Sequence, residues 1–173
     1  MARFGSTGRI AIIFAPTVVN PKAPSIAEIT AGVNLSDYVT RDGLKTPSSG
    51  NTIDAADIGS RFNKTAPGTY GGDAAELTAH RDSKSTTDLA WTTLTQDTAG
   101  FLIVARSGLG QDATTGLGTK LGPAKAADRV EVYPVTVISR AMADTGDNET
   151  AKFTASLAIT GEPAQDAVVA AGS

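Results

Sequence analysis

The chain contains no cysteine, which excludes a disulfide framework, a thiolate zinc site and a cysteine nucleophile. It has a single histidine, and aromatic residues make up only 5% of it, so a core must be assembled from Ala, Val, Ile and Leu. Long hydrophobic runs are missing. The N-terminal apolar stretch Ile10 to Ala15 is too short for a signal-peptide core with its cleavage site, and far too short to span a bilayer. The expectation is a soluble chain with no export signal of its own and no membrane contact. A cationic excess is also missing: 15 Lys and Arg stand against 18 Asp and Glu, for a net charge of -3. Such a balance argues against a surface built to grip phosphates.

What is present suits one mainly β domain spanning 1–173. A chain of 173 residues can bury a real core but is too short for two ordinary domains. Its 18 glycines and 8 prolines, with threonine throughout, favour strands and turns over long helices.

After an N-terminal arm (1–8), Arg9 to Ala15 is rich in β-branched residues and stops before Pro16, so it reads as a first strand. Ser25 followed by Glu28 is the pattern of a capping box, and Gly32 closes a helix of about one turn. Residues 39–72 carry Asp42-Gly43, Pro47-Ser-Ser-Gly50 and Pro67-Gly68 with few apolar residues between, which predicts a long loop or extended hairpin unable to build its own core. Ala74 to His80 alternates, with Ala75, Leu77 and Ala79 on one face and Glu76, Thr78 and His80 on the other. Thr87 to Thr95 places Leu89 and Leu94 near helical spacing around Trp91, a short helix.

Phe101 to Ala105 is continuously apolar, the character of a strand covered on both faces, and puts Phe101 and Ile103 in the core. The Gly-rich segment 108–123 reads as a flexible loop. Arg129 to Tyr133 and Val135 to Ile138 form a strand pair or one bent strand, with Pro134 at a bulge or edge. Asp144 to Asn148 has turn chemistry. Lys152 to Ile159 alternates cleanly, directing Phe153, Ala155, Leu157 and Ile159 inward, and 164–173 is a tail of small residues. The fold expected is an antiparallel β-sandwich or partial barrel with one short flanking helix and long loops, its last third an antiparallel hairpin.

Three clusters invite chemical readings. Gly108-Leu-Gly110-Gln-Asp-Ala113 loosely matches a dinucleotide fingerprint, but Gly116, Gly118 and Gly122 disfavour the helix that must follow it. His80 with Asp82, Ser83 and Ser85 suggests a hydrolase, yet neighbours along an extended segment point to opposite faces, and no Gly-x-Ser-x-Gly turn accompanies them. Asp144-Thr-Gly-Asp147-Asn-Glu149 gathers oxygen ligands without the spacing of a calcium loop. No catalytic residue, metal or cofactor is therefore expected.

Three stretches carry a family resemblance: Ala23-Pro-Ser-Ile-Ala-Glu-Ile-Thr-Ala-Gly32-Val-Asn-Leu, Asp128-Arg-Val-Glu-Val-Tyr-Pro-Val135, and Phe153-Thr-Ala-Ser-Leu-Ala-Ile-Thr-Gly-Glu-Pro163. In that order they resemble the tail tube (major tail) proteins of long-tailed bacteriophages, especially those infecting actinobacteria; 39–72 and 108–123 match nothing specific. The resemblance implies a virion protein whose copies close into hexameric rings and stack into a hollow tube. Such a tube carries the genome and forms around a tape-measure protein, with tail terminator and distal tail proteins as further partners. DNA would pass through without specific binding, as suits an acidic chain. Glu76 and Glu131, each on the polar face of an alternating strand, are the candidate lumen-facing residues. Two alternatives share the composition: a β-sandwich adhesion or decoration module, and a small hydrolase with a pocket around His80.

Overall fold

A computed structural model describes residues 8–46, 49–54, 65–84, 86–143, 146 and 149–171. Most of the N-terminal arm, the middle of 39–72 and nearly all of the Asp144 to Asn148 turn lie outside these. In chain order the elements are β1 (Ala11–Ala15), α1 (Ile26–Ala31), β2 (Val33–Asn34), β3 (Val39–Lys45), β4 (Ser49–Asp54), β5 (Thr65–Gly71), β6 (Ala75–His80), α2 (Leu89–Thr93), β7 (Ala99–Ala105), β8 (Arg129–Ala143), β9 (Lys152–Ile159) and β10 (Ala164–Val168). Eight strands form one sheet in the order β2-β1-β7-β8-β9-β6-β3, with β10 also on β8, while β4 and β5 pair only with each other. Every strand pair is antiparallel.

Two aliphatic clusters explain this order. Ile12 and Phe14 of β1, Leu102 and Val104 of β7, and Tyr133, Val135 and Val137 of β8 pack with Leu77 of β6 and with Phe153, Ala155 and Leu157 of β9. Because β1 and β6 are far apart in strand order, they share a cluster only if the sheet curls around it as a partial barrel. The opposite face of β1, β7 and the start of β8 contributes Ile13, Ile103, Val130 and Val132 to a second cluster, covered by Val18, Ile29 of α1, Leu109 and Val169. The apolar run of β7 is thus covered on both faces. Ile103, Phe153 and Leu157 are buried, whereas Phe101 and Ile159 are half-buried at the cluster margins.

β8 is one bent strand of 15 residues. Its first half pairs β7 on one side and β10 on the other, and its second half pairs β9. Pro134 sits inside it because the Pro134 carbonyl accepts from Thr160 N–H, at the break between β9 and β10. The missing proline N–H faces that break, where no ladder bond is lost. A bulge between Val137 and Ser139 then bends the strand.

Three features depart from the sequence expectation. Residues 39–72 divide, with β3 joining the main sheet and β4 and β5 forming a separate hairpin, and among the described residues of that stretch Val39 and Leu44 are the hydrophobics that reach the core. The segment 108–123 is tied down: Leu109 is buried and exchanges backbone bonds with Thr119 (2.8 and 3.0 Å). Gly118 lies so close to the Leu109 carbonyl that an added Cβ would fall 2.1 Å from it. Residues 164–173 include β10, whose Ala164 and Ala167 are buried on either side of a register shift. That shift spaces the buried alanines by three and hides the period of two.

α1 carries the expected capping box: Ser25 Oγ accepts from Glu28 N–H (3.2 Å), and Glu28 accepts from Ser25 N–H (2.7 Å). Glu28 also accepts from Val19 N–H at 2.7 Å, fixing the approach to the helix. Gly32 ends α1 in an extended conformation, and glycine is required there because a Cβ would meet Ile13 Cγ2 at 2.5 Å.

Two predictions follow from this packing. Leu157→Asp places a carboxylate in an apolar layer and should cost several kcal/mol, on the order of total domain stability. Lys152→Ala should change it by less than about 0.5 kcal/mol; thermal melts that are equal for the two variants would show that the face of β9 bearing Leu157 is not core. The backbone donors of Ser25 and Val19 hold the Glu28 carboxyl below the ordinary glutamate range. A pKa depressed in the folded state stabilises above the unfolded value, about 4.3, and that stabilisation is lost as pH falls below it. Acidification from about pH 5 to 3 should therefore lower the melting temperature of the wild type more than that of Glu28→Gln.

Candidate functional site

Two of the clusters that suggested chemistry resolve into structural roles, while most of Asp144 to Glu149 lies outside the described residues. His80 Nδ1 lies 2.7 Å from Thr150 Oγ1. Asp82 instead accepts from Thr87 Oγ1 (2.7 Å) and Lys84 N–H (3.2 Å), bonds that hold its carboxyl below the ordinary range, that from Thr87 most strongly. His80 and Asp82 are thus not brought together as a catalytic pair. In the Gly-rich loop, the N–H groups of Gly110 and Gln111 both donate to buried Asp128 at 2.8 Å, joined by Lys125 N–H at 2.9 Å. A phosphate would need those same amides, and the chain's own carboxylate occupies them. Among the described residues no group of three His, Asp or Glu could hold a metal ion.

Surfaces are the more informative feature. Among the described residues, no element packs an apolar cluster on the sheet face opposite the first cluster along β3, β6, β9 and the second half of β8. Cross-strand rows on it run Lys45–Glu76–Ser156–Ser139, Thr78–Thr154–Ala141 and His80–Lys152–Ala143. Thr78 and Thr154 hydroxyls are 3.0 Å apart, and the charges are matched in pairs, Lys45 with Glu76 at 2.9 Å and Lys152 with Glu149 at 3.3 Å. The face is therefore polar, small-featured and locally neutral.

Glu76 and Glu131 do not share this face. Glu131 pairs with Val104 of β7 and is bound by Arg106 through Nε (2.6 Å) and a second nitrogen (2.9 Å), while Tyr133 donates its hydroxyl at 2.9 Å. This pairing raises the Arg106 pKa, through the hydrogen bond first, and burial raises that of Tyr133. Period-two alternation could not separate the glutamates, because it distinguishes two faces of each strand without saying which one the barrel encloses.

Among the described residues, β3 and the second half of β8 are each strand-paired on one side only, as are the two-residue end strand β2 and β10. β3 pairs only with β6, and between Val39 and Leu44 its register shifts so that 40–43 bulge, with Arg41 and Asp42 exposed. On the side of β7, strand pairing of β8 stops at Thr136 and Val137 still exchanges backbone bonds with Asp97 and Thr98 (2.9 Å each), which leaves the stretch beyond it, with exposed Ile138 and Met142, without a strand on that side. Beside it, Trp91 of α2 stacks edge-on against Phe153, with ring centroids 5.1 Å apart. The guanidinium carbons of Arg81 and Arg140 stand 3.9 and 3.8 Å from the Trp91 centroid. Sequence reasoning placed Trp91 near the core but missed both arginines, which lie 10 residues before it and 49 after it and meet only through the sheet.

A family model described as phage tail tube protein matches residues 1–172. No curated protein matches the chain. Among solved structures, the chain is similar to one in the "Cryo-EM structure of the anti-feeding prophage (AFP) baseplate, 6-fold symmetrised", with a TM-score of 0.56 and 10% sequence identity over 94% of this chain and 95% of that one. At that identity the likeness is one of fold. Given a family model spanning all but its last residue, the chain belongs to the phage tail tube protein family, a family of structural components of the virion tail and not of enzymes.

Proposed function

We propose that copies of this chain close into hexameric rings that stack into the tube of a long-tailed phage, the conduit for genome delivery, in the actinobacteria-infecting group its sequence resembles. The observation that carries this reading is the pair of open edges. β3 and β8 lie at opposite sides of the four-stranded stretch β8-β9-β6-β3 and run antiparallel to each other. Head-to-tail apposition of copies sets β3 of one beside β8 of the next with the alternation of directions preserved, a heterologous contact that gives a ring where its rotation closes. The six-fold description of the similar baseplate structure supports the stoichiometry by analogy.

In such a ring the uncovered polar face is the lumen wall, with Glu76 as its candidate lining glutamate. Its paired charges fit a conduit through which DNA passes without specific binding, since a wall that offers no unmatched cations releases few counterions from DNA. Glu131, engaged by Arg106, adds no free charge there. A tape-measure protein would occupy this lumen during assembly, and tail terminator and distal tail proteins would cap the ends. The β4–β5 hairpin, which contributes no described residue to either cluster, is assigned to contacts between subunits or rings.

Purified protein at rising concentration should give rings or tubes by sedimentation and negative-stain microscopy, and monomer alone at every concentration, with or without tail partners, contradicts the reading. Amides of β4 and β5 should exchange quickly in free subunits and slowly in tubes; slow exchange already present in the monomer contradicts the role given to the hairpin.

A further inference from the structure

The Trp91 cluster holds more positive charge than the described residues around it neutralise. Asp88 is buried, 1% exposed, and accepts from Arg81 Nε at 2.5 Å through one oxygen, while its Oδ1 has no partner. Arg140 donates to the Trp91 carbonyl and stacks on the ring, but no carboxylate among the described residues pairs with it. Among the described residues, the two guanidiniums on Trp91 thus have one paired carboxylate between them, and it binds Arg81. The open edge of β3 carries the complement. Its bulge is permitted by Gly43, where a Cβ would meet the Thr78 carbonyl at 2.3 Å, and it presents Asp42, an exposed acid with no hydrogen bond or ion pair to a described residue of its own subunit. Asp42 also lines a cavity of about 470 Å³, with Val39, Arg41 and Leu44 on one side and Ile12 of β1, Ser36 and Lys120 on the other.

We propose that the Arg140 guanidinium, held on the Trp91 ring, receives the Asp42 carboxylate of a second copy of this chain, and that this pair fixes the order of subunits around the ring. The inference rests on the ring reading and adds its recognition element. A guanidinium pinned against an aromatic face has already lost most of its rotamer freedom, so it gains more from an incoming carboxylate than a mobile surface lysine would. The pair is directional, because Asp42 and Arg140 sit on different edges. Each copy offers one donor and one acceptor, so subunits join head to tail, whereas a two-fold contact between like edges would oppose two Asp42 or two Arg140 side chains.

Full-length variants test this by the concentration at which assemblies first appear in sedimentation. Asp42→Asn should raise that concentration several-fold, and Asp42→Arg, which sets cation against cation, about tenfold or more, with monomer melting unchanged. Asp42→Arg combined with Arg140→Asp should recover assembly. Because Arg140→Asp also removes the bond to the Trp91 carbonyl and can disturb folding, Arg140→Gln supplies a second arm: in that background Asp42→Asn should have no further effect. Wild-type assembly by Asp42→Arg, or an undiminished Asp42→Asn effect in Arg140→Gln, overturns the pairing while leaving the ring reading intact. Arg140→Gln that weakens binding to a DNA duplex, with Asp42 variants assembling normally, overturns it in favour of a phosphate site. Failure of the wild type to assemble removes the ring reading and this inference together.

Discussion

The structure depends on the ability of β8 to serve as three strands at once. Its 15 residues bond β7, β9 and β10, and both aliphatic clusters draw on it, through Tyr133, Val135 and Val137 on one side and Val130 and Val132 on the other. A strand of that length cannot stay flat when both of its ends must bury apolar faces. Pro134, placed against the break between β9 and β10, and the bulge after Val137 give it the bend. The bend rolls the sheet around Phe153 and Leu157, and it also carries the second half of β8 beyond the reach of β7. The open edge assigned to assembly is thus a product of the same geometry that makes the core.

With aromatics at 5% of the chain, much of the packing comes from close backbone approach rather than large side chains. Gly100 lies where a Cβ would meet the Phe14 ring at 2.6 Å, and Gly32 and Gly118 allow similarly tight contacts. Polar groups substitute for missing apolar bulk where the chain must turn. The Asp128 carboxylate organises the Gly-rich loop by collecting three N–H groups, and Glu28 does the same for the segment before α1. Each gathers backbone donors that would otherwise be costly to leave unpaired.

The parts of this arrangement legible in the sequence are those governed by local periodicity. Alternation in 74–80 and 152–159, the apolar run of β7 and the capping box at Ser25 each report a structure decided within a few residues. The parts that were not legible depend on long-range pairing. β10 is hidden because its buried Ala164 and Ala167 straddle a register shift. The loop 108–123 reads as flexible until Asp128 is seen beneath it. Arg81, Trp91 and Arg140 come together only after the sheet has formed, and nothing in their spacing announces it. Glu76 and Glu131 look equivalent by parity, yet the roll of the sheet leaves one on an open face and binds the other to Arg106.

The central claim is that the polar face of β3, β6, β9 and the second half of β8 becomes the inner wall of a ring of identical subunits. An electron cryo-microscopy map of tubes assembled from the purified chain tests it most directly. The account predicts a six-fold channel lined by Glu76, Thr78, Thr154 and Ser156, with α1 and the Gly-rich loop outside. A map in which that face points to bulk solvent, or in which the channel wall is strongly basic, would contradict it.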